Sequence, residues 1–125
     1  MSKADADQLR QAWDYIERNG FQTTATGYVS PGDEHAACAL GALAYTAKLD
    51  LVIEAAAGDA LFGVVKHTWR AARWLYRAQP RQPKLGGLYL RATVAIFQHN
   101  DRRVGGFDGA RDWFAKAIAL AEADA

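Results

Sequence analysis

Apolar residues recur at three- and four-residue steps along most of this chain, the spacing of a helical face. Leu9, Ala12, Trp13 and Ile16 make the first such stripe. Asp5 and Asp7 stand near its start, where the helix dipole favours acids, and Gly20 follows as a C-cap. The small, polar residues Met1–Ala6 are expected to fray.

The period breaks at Phe21–Ser30. Thr23, Thr24 and Thr26 surround Gly27, with Tyr28 and Val29 after it, which predicts a short β-hairpin near 21–30 packed on helices. Pro31-Gly32 reads as a turn and Asp33 as the N-cap of a second helix, Glu34 to about Leu49. Its run Ala36–Ala47 is apolar nearly all the way round, so this helix is expected at the centre of the fold. Gly41 within it suits close packing by a neighbour.

Asp50–Ala57 predicts a helical turn or two ending at Gly58. Asp59 then caps a long helix reaching Gln79 before Pro80, with Leu61, Val64, Val65, Thr68, Ala72, Leu75 and Tyr76 on its inner face. Arg81-Gln82-Pro83 is a connector, and Leu85–His99 forms the next helix, striped by Leu88, Ala92, Ala95, Ile96 and His99. Asn100–Phe107 reads as a loop. Asp108 caps a last amphipathic helix whose Trp113, Phe114, Ala117, Ile118, Leu120 and Ala121 face inward. The expected fold is mainly α: a compact bundle of about five helices, one domain over 1–125, without internal repeat or sustained heptads.

Composition narrows the setting. The chain has 125 residues, half of them hydrophobic, which excludes a disordered class. A single cysteine, Cys38, forbids an intrachain disulfide. No leader-like segment opens the sequence, and Ala36–Ala47 is well short of the roughly 20 apolar residues a membrane helix needs. The expectation is a cytoplasmic protein with no membrane partner and no cofactor.

Charge adds a second pattern. Residues 1–62 carry four Lys/Arg against nine Asp/Glu, whereas residues 63–125 carry eleven against five. On the long helix, Lys66, Arg70, Arg73 and Arg77 fall within an arc of about 60°, opposite the apolar stripe, with Trp74 and His67 on one flank and Trp69 on the other. Such a ridge suits a protein partner or a second copy, with Trp74 as anchor, since Trp and Arg dominate interface hot spots. Nucleic acid is the alternative, phosphate on the cations and a base on tryptophan. A purely structural reading also stands, in which the two charged halves attract each other within one fold.

Candidate chemistry is sparse. Cys38 lies three residues after His35 in the first turns of its helix, where a dipole and a base can activate a thiol, and Asn100 and Asp101 offer orienting groups. The apolar run around Cys38 argues for an inert, buried thiol instead. His35, His67 and His99 lack the short spacing of a zinc site, so no metal is expected. His99 suits a core position. The balance favours a non-enzymatic interaction protein, with a thiol-dependent hydrolase or transferase as the runner-up.

Three short motifs carry a resemblance: Asn19-Gly20-Phe21, then Cys38-Ala39-Leu40-Gly41-Ala42-Leu43, and Asn100-Asp101 ahead of the closing helix. Together they resemble a family of small uncharacterised proteins of actinobacteria and their phages. That family commonly shows a Gly-aromatic step, a Cys-x-x-Gly-Ala box and an Asn-Asp pair. The resemblance covers about 1–47 and 94–123 and skips the basic middle. His99 stands where the family often has tryptophan, and the usual Pro-Gly-Arg-Thr-like turn after Asp101 is missing. The resemblance implies a shared small fold and an actinobacterial or phage origin, and assigns no reaction. Cys38, Gly41, Asn100 and Asp101 mark either a site or the joint between the second helix and the last loop.

Overall fold

The computed structural model describes residues 3–23, 35–48, 63–79 and 88–124. They form a mainly α-helical bundle of α1 (Lys3–Asn19), α2 (Ala39–Thr46), α3 (Trp69–Arg77), α4 (Leu88–Gln98) and α5 (Phe107–Ala123). A π-helical turn, His99–Arg103, extends α4, and residues 63–67 are helical ahead of α3. Among the described residues no strand or sheet occurs beyond one isolated bridge. None of their helices is long and apolar enough to cross a membrane.

α1 buries Leu9, Ala12 and Ile16 together with Asp5, Ala6 and Tyr15, packing chiefly on α5 and α2. Fraying was expected over Met1–Ala6, yet the helix is formed from Lys3 and Asp5 is 3% exposed. Trp13 lies beside Phe107 and Phe114, ring centroids 5.1 and 5.5 Å away. At the other end Gly20 adopts φ +102°, its N–H donates to the Ile16 carbonyl at 2.6 Å, and any Cβ would press on Ala36. Glycine alone takes that conformation without strain.

The hairpin expected over 21–30 falls largely outside the described residues. Its described start pairs elsewhere: Phe21 makes a parallel bridge with Ala37. Gln22 N–H donates to the Ala37 carbonyl at 2.9 Å, and Ala37 N–H donates to the Gly20 carbonyl at 3.0 Å. This pairing holds the approach to α2 extended, so the helix starts at Ala39 instead of Glu34. Its N-cap is Cys38, whose Sγ accepts from Gly41 N–H at 3.2 Å. Asp33, the expected cap, lies outside the described residues. Ala39–Ala44 are all buried, as their all-round apolar character required.

The short helical piece at 50–57, the start at Asp59 and the connector at 81–83 lie outside the described residues. The long helix is interrupted at Thr68, with φ −106° and ψ 21°, whose hydroxyl donates to the Val64 carbonyl at 2.7 Å. That side-chain bond to the preceding turn is a familiar cause of helix bending. Val64, Val65, Thr68, Ala72, Leu75 and Tyr76 are buried, the face the periodicity selected.

The loop expected over 100–107 is shorter than its residue pattern implied. The helical path continues past His99 as the π turn, closed by Val104 N–H on the His99 carbonyl at 3.0 Å. α5 begins at Phe107 with Gly106 as N-cap at φ +90°, so Asp108 sits inside the first turn and caps nothing. A Cβ at Gly109 would overlap the Val104 carbonyl, which lets the loop lie directly on α5. Trp113 of α5 donates from its indole nitrogen to the Leu75 carbonyl at 2.9 Å, tying α5 to α3.

Candidate functional site

The basic arc is built around a carboxylate from the far end of the sequence. Asp5 of α1 reaches α3, where its Oδ2 accepts from Arg73 at 2.9 Å and from the Trp74 indole at 3.1 Å. Its Oδ1 lies 3.4 Å from Arg70 Nε. Burial alone would raise the Asp5 carboxyl, but hydrogen bonds from Arg73, Trp74 and Arg70 outweigh it and hold it below the ordinary carboxylate range. Trp74, expected on the flank of the arc, is only 4% exposed because its N–H is spent on this buried acid. Arg73 and Arg77 cover its ring, guanidinium carbons 4.7 and 4.8 Å from the centroid.

The four cations therefore divide. The Arg73 side chain is 24% exposed and structural, whereas that of Arg70 is 75% exposed and only touches the acid with its Nε. Lys66, His67 and Arg77 are exposed. Trp69 is half-buried against Tyr89, ring centroids 5.2 Å apart.

Cys38 is fully buried, and burial pushes its thiol up to about 11, with the Asp101 carboxylate adding to the effect. The His35 ring lies at the surface, its Nδ1 2.7 Å from the Ala36 carbonyl. The main chain of His35 is held by the Tyr15 hydroxyl, which donates to its carbonyl at 2.7 Å. A buried neutral thiol and a surface imidazole are a poor nucleophile and base.

Asn100 ties three segments together. Its Oδ1 accepts from Ala39 N–H at 2.9 Å, satisfying an amide at the start of α2. Its Nδ2 donates to the Gln22 carbonyl at 3.1 Å and to Asp101 Oδ1 at 2.8 Å. Next to it His99 is buried edge-on to Trp113, centroids 4.7 Å apart, and burial, then the Arg103 charge, lower its pKa. In front of Asn100 opens a cleft of about 290 Å³, lined by Phe21, Gln22, Thr23, Asp101, Arg102 and the two glycines 105 and 106.

Cys38, Asn100 and Asp101 thus meet at one place, while Lys66, Arg70, Arg73, Trp74 and Arg77 occupy another. Sequence reasoning missed Asp5, which had a sufficient local explanation as a first-turn acid. The available signal was its i, i+1 neighbour Ala6 and i+4 partner Leu9: these put Asp5 next to the apolar stripe rather than opposite it. Among the described residues no group of three His, Cys, Asp or Glu is arranged to hold a metal ion. Comparison with curated proteins and with solved structures finds no match to this chain. The chain belongs to a family of unknown function, DUF6197, whose model matches residues 1–120 and so takes in the basic middle as well as the two ends.

Proposed function

We propose that this protein is a non-enzymatic interaction protein that binds an acidic protein surface through Lys66, Arg70 and Arg77. The observation that carries the reading is the division of the basic arc. One buried carboxylate fastens Arg73 and Trp74 and touches Arg70 only at its Nε, while Lys66 on the helical stretch 63–67 and Arg70 and Arg77 on α3 stay exposed. Exposed charges of this kind govern association rate, salt dependence and choice of partner more than raw affinity. The buried Trp74 offers no stacking platform for a base, which favours a protein partner over nucleic acid. The buried, proton-retaining Cys38 lends the thiol-enzyme alternative no support. The resemblance above supports an actinobacterial or phage origin and a role as a phage accessory or host-modulating factor, and the single cysteine suits the cytoplasm.

The test is a titration of the full chain with a polyglutamate peptide and with duplex DNA of equal charge, at 50 and 300 mM salt. Peptide binding is expected to exceed duplex binding and to fall with salt. The Lys66→Glu/Arg77→Glu double variant should abolish it while unfolding stability changes by about 1 kcal/mol or less. Preference for the duplex, or peptide binding indifferent to the double variant, would overturn the reading. Sedimentation of the free chain separates a second copy from a foreign partner.

A further inference from the structure

We propose that the acidic partner brings a phosphorylated side chain to α3, its phosphomonoester dianion held between Arg70 and Arg77; this rests on the reading of that face as a surface for an acidic protein and names the acid.

The three arginines of α3 do not project independently into water. Arg70 Nε and Arg73 Nη2 sit on the two oxygens of one carboxylate, Asp5, at 3.4 and 2.9 Å. The guanidinium carbons of Arg73 and Arg77 lie 4.7 and 4.8 Å from the centroid of one ring, Trp74. That ring is bonded to the same acid, its Nε1 3.1 Å from Asp5 Oδ2. Asp5 and Trp74 are both buried, so all three guanidiniums are gathered on one fixed base. The helix spacing agrees. Arg73 follows Arg70 by three residues and Arg77 follows Arg73 by four, steps that make side chains neighbours on one face. The head of Arg77 lies over a residue three positions earlier, so it leans back along α3 in the direction of Arg70.

Charge and free donors select the ligand. Three guanidiniums share one carboxylate, which leaves two positive charges unneutralised within the cluster. Like charges at such spacings repel each other until an anion joins them. A glutamate or a nucleic-acid phosphodiester supplies one negative charge, whereas a phosphomonoester supplies nearly two at neutral pH. Donors are available for it. Arg70 spends only its Nε on Asp5, and Arg77 stacks on the ring with no ion pair among the described residues. The amino groups of both forks are therefore open to phosphoryl oxygens. Arg73 is committed, its Nε to the Arg70 carbonyl at 3.0 Å and its Nη2 to Asp5, and serves as the fixed cation between the two. Lys66, exposed on the stretch 63–67, is left for a carboxylate beside the phosphoryl group.

The test is an anisotropy titration of labelled, end-capped peptides with the full chain at pH 7.5 and 150 mM salt. The probes are Glu-Glu-phosphoserine-Glu-Glu and hexaglutamate, which carries the same charge, with inorganic phosphate as competitor. The phosphopeptide should bind at least about tenfold more tightly than hexaglutamate, and inorganic phosphate at least about tenfold more weakly than the phosphopeptide. Arg70→Gln and Arg77→Gln, both at exposed positions, should each erase the preference between the peptides. Lys66→Gln should weaken both peptides by a similar factor. Equal affinity for the two peptides overturns the proposal and leaves the acidic-partner reading standing, whereas binding of neither removes that reading too. Inorganic phosphate as tight as the phosphopeptide reduces the site to one for a free anion and overturns the proposal. So does a preference that survives both arginine variants.

Discussion

Among the described residues, the buried polar joints at Asp5 and at Asn100 are built on opposite principles. At one, the Asp5 carboxylate meets two guanidiniums and an indole; at the other, the Asn100 amide meets a backbone N–H, a backbone carbonyl and a carboxylate. The charged joint keeps one foot in water, since Arg70 is largely solvated, and this lowers the cost of burying an ion. The amide joint matches donor to acceptor inside the fold, and its one charge, the Asp101 carboxylate, accepts from the Asn100 amide. The first leaves a surplus of cations facing outward; the second leaves a cleft. A carboxylate fastening makes a surface sensitive to salt and acid, whereas an amide fastening makes a rigid wall.

The sharpest way to break this contrast is to remove Asp5. Asp5→Ala strands Arg73 and the Trp74 indole, and urea unfolding should show a loss of about 3 kcal/mol or more. Asn100→Ala orphans the Ala39 N–H and the Gln22 carbonyl and should cost about 2–3 kcal/mol. A loss at Asn100 larger than at Asp5 would reverse the ranking of the two joints.

Acid titration separates the two joints by mechanism. The folded-state pKa of Asp5 is depressed, so its contribution is present above the unfolded value near 3.9 and is lost as pH falls through the folded one. Stability should therefore drop below about pH 4 in the wild type, and Asp5→Asn should flatten that limb. The alkaline side belongs to Cys38. Its folded-state pKa is raised to about 11, so stability is held up to the unfolded value near 8.5 and declines as pH rises beyond it. Cys38→Ser should remove that decline. Because Ser is itself a favoured N-cap, stability at pH 7 should move by only about 1 kcal/mol, the smallest effect of the set.

Much of the bundle was legible in the periodicity, because burial on a helix face is a local pattern. The inner faces at 64–76 and 113–121 and the all-round burial of Ala39–Ala44 follow from it directly. What escaped was non-local. The late start of α2 depends on Ala37 pairing with Gly20 and Phe21, which no spacing near Glu34 announces. The π turn escaped because Asn-Asp-Arg-Arg-Val-Gly-Gly has loop chemistry, and the helical path is kept by Asn100 bonding to residues far away. The basic arc was visible as an arc, but its division into a mostly buried, fastened Arg73 and exposed cations was not. That division turns on one acid 65 to 69 positions upstream of its partners. An arc taken as fully exposed predicts that reversing Arg73 is harmless. With Arg73 set 2.9 Å from a buried carboxylate, Arg73→Glu should instead unfold much of the protein.

The reach from Asp5 to Trp74 also orders events in time. α1 leaves the ribosome ahead of α3 and α5, yet the groups that satisfy its buried acid come some 65 residues later, and α5, its principal packing partner, comes later still. Contacts of such long sequence separation form slowly, after the chain between them has been closed into a loop. A nascent chain arrested before α3 has emerged would hold Asp5 with nothing to receive it. α1 is thus made before its partners but locked only after them, and ribosome-tethered chains of increasing length should gain protease resistance in α1 only once α5 is free of the tunnel.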